Sequence, residues 1–118
     1  MVMRVLERQL LLVVLLVVLL VSVGLGSAAT VGAETPDGEA LFNQRTCFTC
    51  HGKDGKSPIL PSYPLIAGQN APYILQQLKD IKSGARANGS SAAMAGVMHL
   101  VNEEEMKKLA EYISKLER

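Results

Sequence analysis

Apolar residues recur at helical spacing behind three helix-start signals in this chain. The first signal is the Thr-Pro-Asp-Gly stretch at 35–38, and the short helix that it predicts runs towards Cys47. The second signal is Asn70 as a cap with Pro72 in the first turn, and the helix that follows ends near Gly84. The apolar face of this second helix consists of Ile74, Leu78 and Ile81.

The third signal, near the C-terminus, is the most complete of the three. Asn102 is a cap, Glu105 stands where a capping box needs it, and acidic residues fill the first turn. We expect the apolar stripe of this helix to be core and to pack against the first helix through Phe42 and Tyr112. The stripe consists of Met106, Leu109, Ala110, Ile113 and Leu116. The chain shows no parallel-strand pattern, internal repeat or phosphate loop, so we predict an all-α fold.

A different pattern occupies the N-terminal region. Arg4 and Arg8 precede an unbroken Leu/Val run at 10–21, and small residues follow at 24–29. This order of basic, apolar and small-residue regions is typical of a secretory signal peptide.

The small residues predict where this leader is cut. We expect a signal peptide over 1–33, cleaved before Glu34, with Ala29 as a second cleavage position, and a mature domain over 34–118. The alternative is an uncleaved N-terminal membrane anchor, because the apolar stretch falls just short of the ~20 residues that span a bilayer. Either arrangement places the folded domain outside the cytoplasmic membrane, most simply in a bacterial periplasm.

The candidate chemistry lies in the run from Cys47 to His51, which contains the only two cysteines. Its C-x-x-C-H spacing is typical of covalent c-type haem attachment. In a helix, the two sulfur atoms and the imidazole project from one face within a single turn. The thiols of Cys47 and Cys50 can form thioethers with haem, and His51 can bind the iron as proximal ligand.

Three other interpretations of this motif are weaker. A thioredoxin-like dithiol needs a βαβ context that the pattern does not show. A zinc site needs four ligands, and beyond the motif only His99 remains among the cysteines and histidines. A disulfide would close a very small loop and would leave His51 without a role.

The segments that flank the second helix have loop composition. Three prolines between 58 and 64 argue against regular structure up to Gly68. We expect this proline-rich segment, which we call the proline wrap, to be ordered although it is irregular. A carbonyl of Pro58 or Pro61 is expected to accept a hydrogen bond from the second imidazole nitrogen of His51. Residues 85–96 are mostly Gly, Ser, Ala and Asn, which predicts a flexible loop that contains Met94.

The length, aromatic content and net charge of the chain limit the functions that it could have. The chain has 118 residues, no tryptophan and few aromatic residues after the leader, so a bound macrocycle would supply apolar volume that the core lacks. Loss of Arg4, Arg8 and Glu7 with the leader makes the mature chain formally neutral. Nothing in this charge pattern indicates a nucleic-acid partner.

The chain resembles the class I cytochromes c, especially the small periplasmic monohaem type that is similar to a single domain of the cytochromes c-four. The resemblance covers 37–116. It depends on the glycine-led helix before the motif, the Cys-x-x-Cys-His-Gly run, the Tyr-Pro-x-x-Ala-Gly-Gln segment at 63–69, the helix over 73–81 and the terminal segment 109–113.

The resemblance implies three to five helices around one covalent haem c, with a histidine and a methionine as axial ligands. Three residues could complete the coordination opposite His51, namely Met94, Met98 and His99, and an open site is a further possibility. The related domains carry their methionine eight residues ahead of the last helix cap, which favours Met94 as distal ligand, with Met98 as second choice. Tyr63 and Arg86 are candidate contacts of the haem propionates.

The implied activity is electron transfer between periplasmic or membrane redox partners by a monomeric carrier that is not itself an enzyme. The alternatives are a haem c subunit of a multi-subunit dehydrogenase or oxidase complex, and an enzyme or gas sensor with an open iron. Basic residues outnumber acidic ones between Arg45 and Arg86, which favours partners with an acidic docking face.

Overall fold

The computed structural model describes residues 2–23, 32 and 34–118. The chain forms two compact units, 1–33 and 34–118. In the first unit the Leu/Val run belongs to helix α1, Val2–Val23. Within the described ranges, no helix combines the length and the apolar character needed to cross a membrane. The expected cleavage positions, after Ala29 and after Ala33, lie outside the described residues.

The second unit is built from five helices, and residues 34–118 contain no strand. The helices are α2 Gly38–Gln44, α3 Cys47–His51, α4 Ala71–Ser83, α5 Ser91–Met98 and α6 Glu103–Lys115. Helix α6 packs against α2 and α4, and α4 also packs against α5. The prediction of an all-α fold with three to five helices in this domain is therefore confirmed.

Helix α6 begins at the predicted capping box. The side-chain oxygen of Asn102 accepts a hydrogen bond from the backbone N–H of Glu105 at 2.9 Å, and Oε2 of Glu105 accepts one from the backbone N–H of Asn102 at 2.9 Å. A cap of this kind contributes about 1 kcal/mol to stability. The buried face of the helix includes Met106, Leu109, Ala110 and Ile113, as the stripe predicted. Leu116, the last residue of the predicted stripe, follows the helix as its C-cap and is only half-buried.

Helix α2 begins at Asp37, whose side chain accepts a hydrogen bond from the backbone N–H of Ala40 at 2.8 Å. Its first residue, Gly38, lies so close to α6 that an added Cβ would collide with the carbonyl oxygen of Lys108 and with Tyr112. The rings of Phe42 and Tyr112 lie 5.6 Å apart in a tilted arrangement, which confirms the predicted contact between the first and last helices.

Helix α4 has the predicted boundaries. The side chain of Asn70 accepts a hydrogen bond from the backbone N–H of Tyr73 at 3.3 Å, and Pro72 occupies the first turn. Gly84 ends the helix with φ 81°, a left-handed conformation that glycine adopts without steric cost. The predicted apolar face is buried in the core, and it consists of Ile74, Leu78 and Ile81.

The prediction of a flexible loop over 85–96 is wrong for its second half. Residues Ser91–Met98 form α5, so Met94 lies on a helix. Alanine and methionine have high helix propensity, and the side chain of Met98 is buried in the core with 1% exposure. Packing of Met98 against the other helices thus favours helix over the loop that the Gly and Ser content predicted.

Candidate functional site

The motif from Cys47 to His51 forms the short helix α3. Thr46 precedes it with φ 57°, a left-handed conformation that costs a non-glycine residue about 1–2 kcal/mol. This turn redirects the chain between α2 and α3. The side chain of His51 is buried with 7% exposure, Cys47 and Cys50 are half-buried, and no disulfide joins the two thiols.

Helix α3 ends at Gly52, which has φ 80°. A Cβ at this position would lie 2.5 Å from the carbonyl oxygen of Ser57, so only glycine fits the turn. Asp54 closes the turn by accepting hydrogen bonds from the backbone N–H of Lys56 at 3.0 Å and from the hydroxyl of Ser57 at 2.7 Å. These bonds, led by the one from Lys56, lower the pKa of the Asp54 carboxyl.

The carbonyl that supports the histidine belongs to Pro64, so the prediction of Pro58 or Pro61 is wrong. The Nδ1 atom of His51 lies 3.1 Å from the carbonyl oxygen of Pro64. Because a carbonyl only accepts, Nδ1 carries the proton and Nε2 keeps its lone pair for a metal.

The rest of the wrap fixes the position of this carbonyl. Gly55 accepts backbone hydrogen bonds from Ile66 at 2.8 Å and Ala67 at 3.1 Å, and the N–H of Gly68 donates to the carbonyl of Ile113 on α6 at 2.9 Å. These long-range bonds confirm an ordered wrap. They also explain why the last proline of the loop, and not the first two, reaches His51.

Cys47, Cys50 and His51 line one cavity of about 420 Å³. This volume lies within the range of about 300–1,000 Å³ that is typical of cofactor sites. Helices α4, α5 and α6 supply the apolar part of the wall, which includes Ile74, Leu78, Ile81, Val97, Leu109 and Ile113. The three groups of the motif therefore face a largely apolar space.

The candidate distal ligands differ in their position. Met94 is half-buried and lines the cavity from α5. Met98 also lines the cavity, but its side chain belongs to the hydrophobic core. His99 is exposed and does not line the cavity. Both candidate propionate contacts, Tyr63 and Arg86, lie on the cavity wall.

The electrostatics around Cys47 favour a neutral thiol. Burial raises the pKa of the Cys47 thiol to about 11, so this group is protonated at neutral pH. A redox-active dithiol depends on a thiolate, which burial disfavours here. Among the described residues, no three His, Cys, Asp or Glu side chains are grouped so that they could hold a metal ion.

An ion pair anchors the chain just ahead of the motif. Nη2 of Arg45 donates to Oε1 of Glu105 at 2.6 Å, which connects the end of α2 to the start of α6. Burial of Glu105 by itself would raise the pKa of its carboxyl. The hydrogen bonds from Arg45 and from the backbone of Asn102, with the charges of Arg45 and Lys82, outweigh burial and lower that pKa. Sequence reasoning assigned Glu105 only to the cap and missed this pairing, because Arg45 lies sixty residues earlier in the chain.

Comparison with known proteins places this site in a family. The family model described as Cytochrome c matches residues 36–117. The chain is 35% identical to cytochrome c4 of Pseudomonas aeruginosa over 100 residues, which is 85% of this chain and 47% of that protein. It is 33% identical to cytochrome c-553 of Nitratidesulfovibrio vulgaris over 84 residues, which is 71% of this chain and 80% of that protein.

A third relative is a "Thiosulfate dehydrogenase electron acceptor" of Stutzerimonas stutzeri, 33% identical over 85 residues, which is 66% of this chain and 38% of that protein. The chain spans about half the length of the cytochromes c4 that it matches.

The residues of the cavity fit the cofactor of this family. The thiols of Cys47 and Cys50 and a histidine with a fixed tautomer line an apolar cavity of suitable size. This chemistry matches one covalently bound haem c. The chain therefore belongs to the cytochrome c family.

Proposed function

We propose that this protein is a single-electron carrier and not an enzyme. When bound, haem c supplies an iron centre that accepts and releases one electron. In this proposal Cys47 and Cys50 hold the haem as thioethers, and His51 and Met94 are the axial ligands. The observation that carries the proposal is that all four side chains line the same apolar cavity.

Each residue has a distinct part in this function. The Pro64 carbonyl keeps the ring of His51 in one tautomer and one orientation. A thioether ligand favours the reduced iron, so Met94 would raise the reduction potential above that of a site with two histidines. The apolar wall acts in the same direction, because a low-dielectric site disfavours the extra charge of oxidised iron.

The experiment that tests this function combines the mass of the exported protein with its visible spectrum. One covalent haem, a reversible one-electron couple and slow binding of carbon monoxide support a carrier with two protein ligands. Rapid binding of carbon monoxide without displacement of a ligand would instead support a sensor or an enzyme with an open iron.

We further propose that redox proteins with an acidic docking face are the partners, and that the carrier is monomeric. Several of the basic residues between 45 and 86 are engaged within the protein. Arg45 pairs with Glu105, Lys79 pairs with Glu103, and Lys82 binds backbone carbonyls. Arg86 donates to Gln77 at 2.7 Å and lines the cavity. The steering charge therefore falls mainly to the exposed Lys53 and Lys56. A rate of electron transfer to an acidic partner that does not fall as salt rises would contradict this proposal.

The second candidate function is a haem c subunit held in a dehydrogenase or oxidase complex. Two observations favour it. Ile59 and Leu100 are more than 60% exposed and do not line the cavity, so a bound haem would not cover them. One relative is named as the electron acceptor of a dehydrogenase. Co-purification with a catalytic partner through stringent washes would support this function over a free carrier.

For the leader we propose cleavage before Glu34, which releases the domain 34–118 into the periplasm. The support is the order of basic, apolar and small residues in 1–33. The alternative remains an uncleaved membrane anchor. The mass of the exported protein distinguishes the two, because a cleaved chain lacks all residues before Glu34.

A further inference from the structure

Helix α5, which bears Met94, has weak support within its own sequence. Ser90 precedes it without a side-chain hydrogen bond to the first turn, and its last turn contains no basic residue. Gly96 lowers its helix propensity by about 1 kcal/mol relative to alanine. A helix of only eight residues is not stable alone in water. The contacts that hold α5 must therefore come from other parts of the fold.

Lys82, in the last turn of α4, supplies such a contact. Its Nζ donates a hydrogen bond to the carbonyl oxygen of Met98 at 3.0 Å and another to the carbonyl oxygen of Val101. Met98 is the last residue of α5 and lies about one helical turn beyond Met94. The carbonyl of Met98 also accepts a backbone hydrogen bond from Val101 at 3.2 Å. The ammonium group therefore adds a charged donor at the end of the helix and neutralises the negative end of its dipole. Lys82 thus ties the end of α5 to α4.

The same lysine belongs to a polar junction that reaches the haem-attachment motif. The positive charge of Lys82 contributes to lowering the pKa of Glu105, and Glu105 pairs with Arg45 two residues ahead of Cys47. The buried side chain of Met98 also fixes α5 in the core. The end of α5 is therefore held by one apolar and one polar anchor, and the polar anchor is Lys82.

We propose that Lys82 is a positioning residue for Met94, holding α5 so that the thioether stays on the cavity wall. The inference rests on Met94 being the distal ligand. Lys82 does not line the cavity, so it acts through the backbone of α5 and not through the cofactor. Without it, α5 moves away more readily and a competing ligand replaces the methionine.

The test is a titration of the oxidised holoprotein with imidazole. Loss of the methionine-to-iron charge-transfer band measures how much imidazole has replaced the methionine. Opening α5 in the wild type breaks hydrogen bonds from a charged donor, so Lys82→Met should bind imidazole about tenfold more tightly or better. Lys79→Met is the matched control, because Lys79 lies one turn earlier on α4 and pairs with Glu103 at 2.9 Å. The control should stay within about twofold of the wild type. Equal affinities in the two variants would overturn the proposal.

The remaining outcomes are also decisive. If the wild type lacks the charge-transfer band, both the proposed ligation and this inference are wrong. If Met94→Leu abolishes the band but Lys82→Met behaves as Lys79→Met does, only the inference is wrong. Should Lys82→Met not accumulate as holoprotein, Lys82→Gln takes its place with the same thresholds. If neither variant folds while Lys79→Met does, Lys82 is a general stabilising residue and the proposal is wrong.

Discussion

The Nδ1 atom of His51 lies 3.1 Å from the carbonyl oxygen of Pro64, thirteen residues further along the chain. This bond orients the imidazole towards the cavity with Nε2 free to bind iron. The carbonyl is held in place because the next turn is fixed to α6 by the hydrogen bond from Gly68 to Ile113. The orientation of His51 therefore depends on the packing of the segment 64–68 against the last helix.

Substitution of Gly52, which follows His51, should lower the free energy of unfolding more than the same substitution at another glycine with positive φ. In Gly52→Ala the positive φ is strained and the new Cβ meets the Ser57 carbonyl at 2.5 Å. Gly84→Ala is the control, because Gly84 has φ 81° but nothing within 4 Å. We expect Gly84→Ala to lower the free energy of unfolding by about 1–2 kcal/mol and Gly52→Ala to lower it further. Guanidinium unfolding of the holoproteins measures both, and equal losses would contradict the close contact.

Alanine substitutions of two helical glycines should change the stability of the fold in opposite directions. Gly38 touches the backbone of α6 at Lys108, so Gly38→Ala must separate α2 from α6 and should cost about 1–3 kcal/mol. Gly96 has nothing within 4 Å of an added Cβ, so Gly96→Ala should stabilise by about 0.5–1 kcal/mol through helix propensity alone. Thermal unfolding of both variants checks the sign. Destabilisation by Gly96→Ala would mean that α5 needs its glycine.

The helix boundaries were predictable from the sequence because their determinants are local. Asn70 and Asn102 are caps whose partners lie three residues away, and the apolar faces follow the helical period. The carbonyl of Pro64 was not predictable, because several prolines occupy one loop and only distant backbone bonds select among them. Helix α5 was missed for a similar reason. Its sequence has no side-chain cap, and it depends on packing of Met98 and on Lys82.

Acid should weaken the fold through Glu105. Its ordinary pKa is 4.5 and the folded state lowers it, so its stabilising contribution is present above that pH and is lost as pH falls through the lower folded value. Glu105→Gln keeps a capping side chain but loses the charge opposite Arg45. We expect it to lower the free energy of unfolding at pH 7 by about 1–2 kcal/mol and to flatten the decline of stability below pH 4.5.

Glu104→Gln is the control for the acid effect. Glu104 is exposed and lies 3.7 Å from Lys107, a surface pair that contributes little. Denaturant unfolding measures the free energy of unfolding of both variants at several pH values between about 3 and 7, where carboxylates titrate. Part of the decline will persist in Glu105→Gln, because the pKa of Asp54 is also lowered in the fold. Identical profiles for the two variants would contradict the role of the Arg45 pair.

Removal of the cofactor should unfold the domain. The haem cavity of about 420 Å³ lies among core residues, including Leu78, Leu109 and Ile113, and a packed interior does not tolerate an empty space of that size. The double variant Cys47→Ser with Cys50→Ser, expressed without bound haem, should lose most of its helical circular dichroism. A cooperative thermal transition with native-like helicity in the haem-free protein would show that the helices can form the core alone.

The most direct test of the central claim is the absorption spectrum of the oxidised holoprotein in the region of the methionine-to-iron charge-transfer band. Leucine keeps the volume of methionine but cannot bind iron, so Met94→Leu and Met98→Leu should both fold. The wild type and Met98→Leu should show the band, and Met94→Leu should lack it. A band that survives in Met94→Leu, or that disappears in Met98→Leu, would contradict the assignment of His51 and Met94 as the two axial ligands.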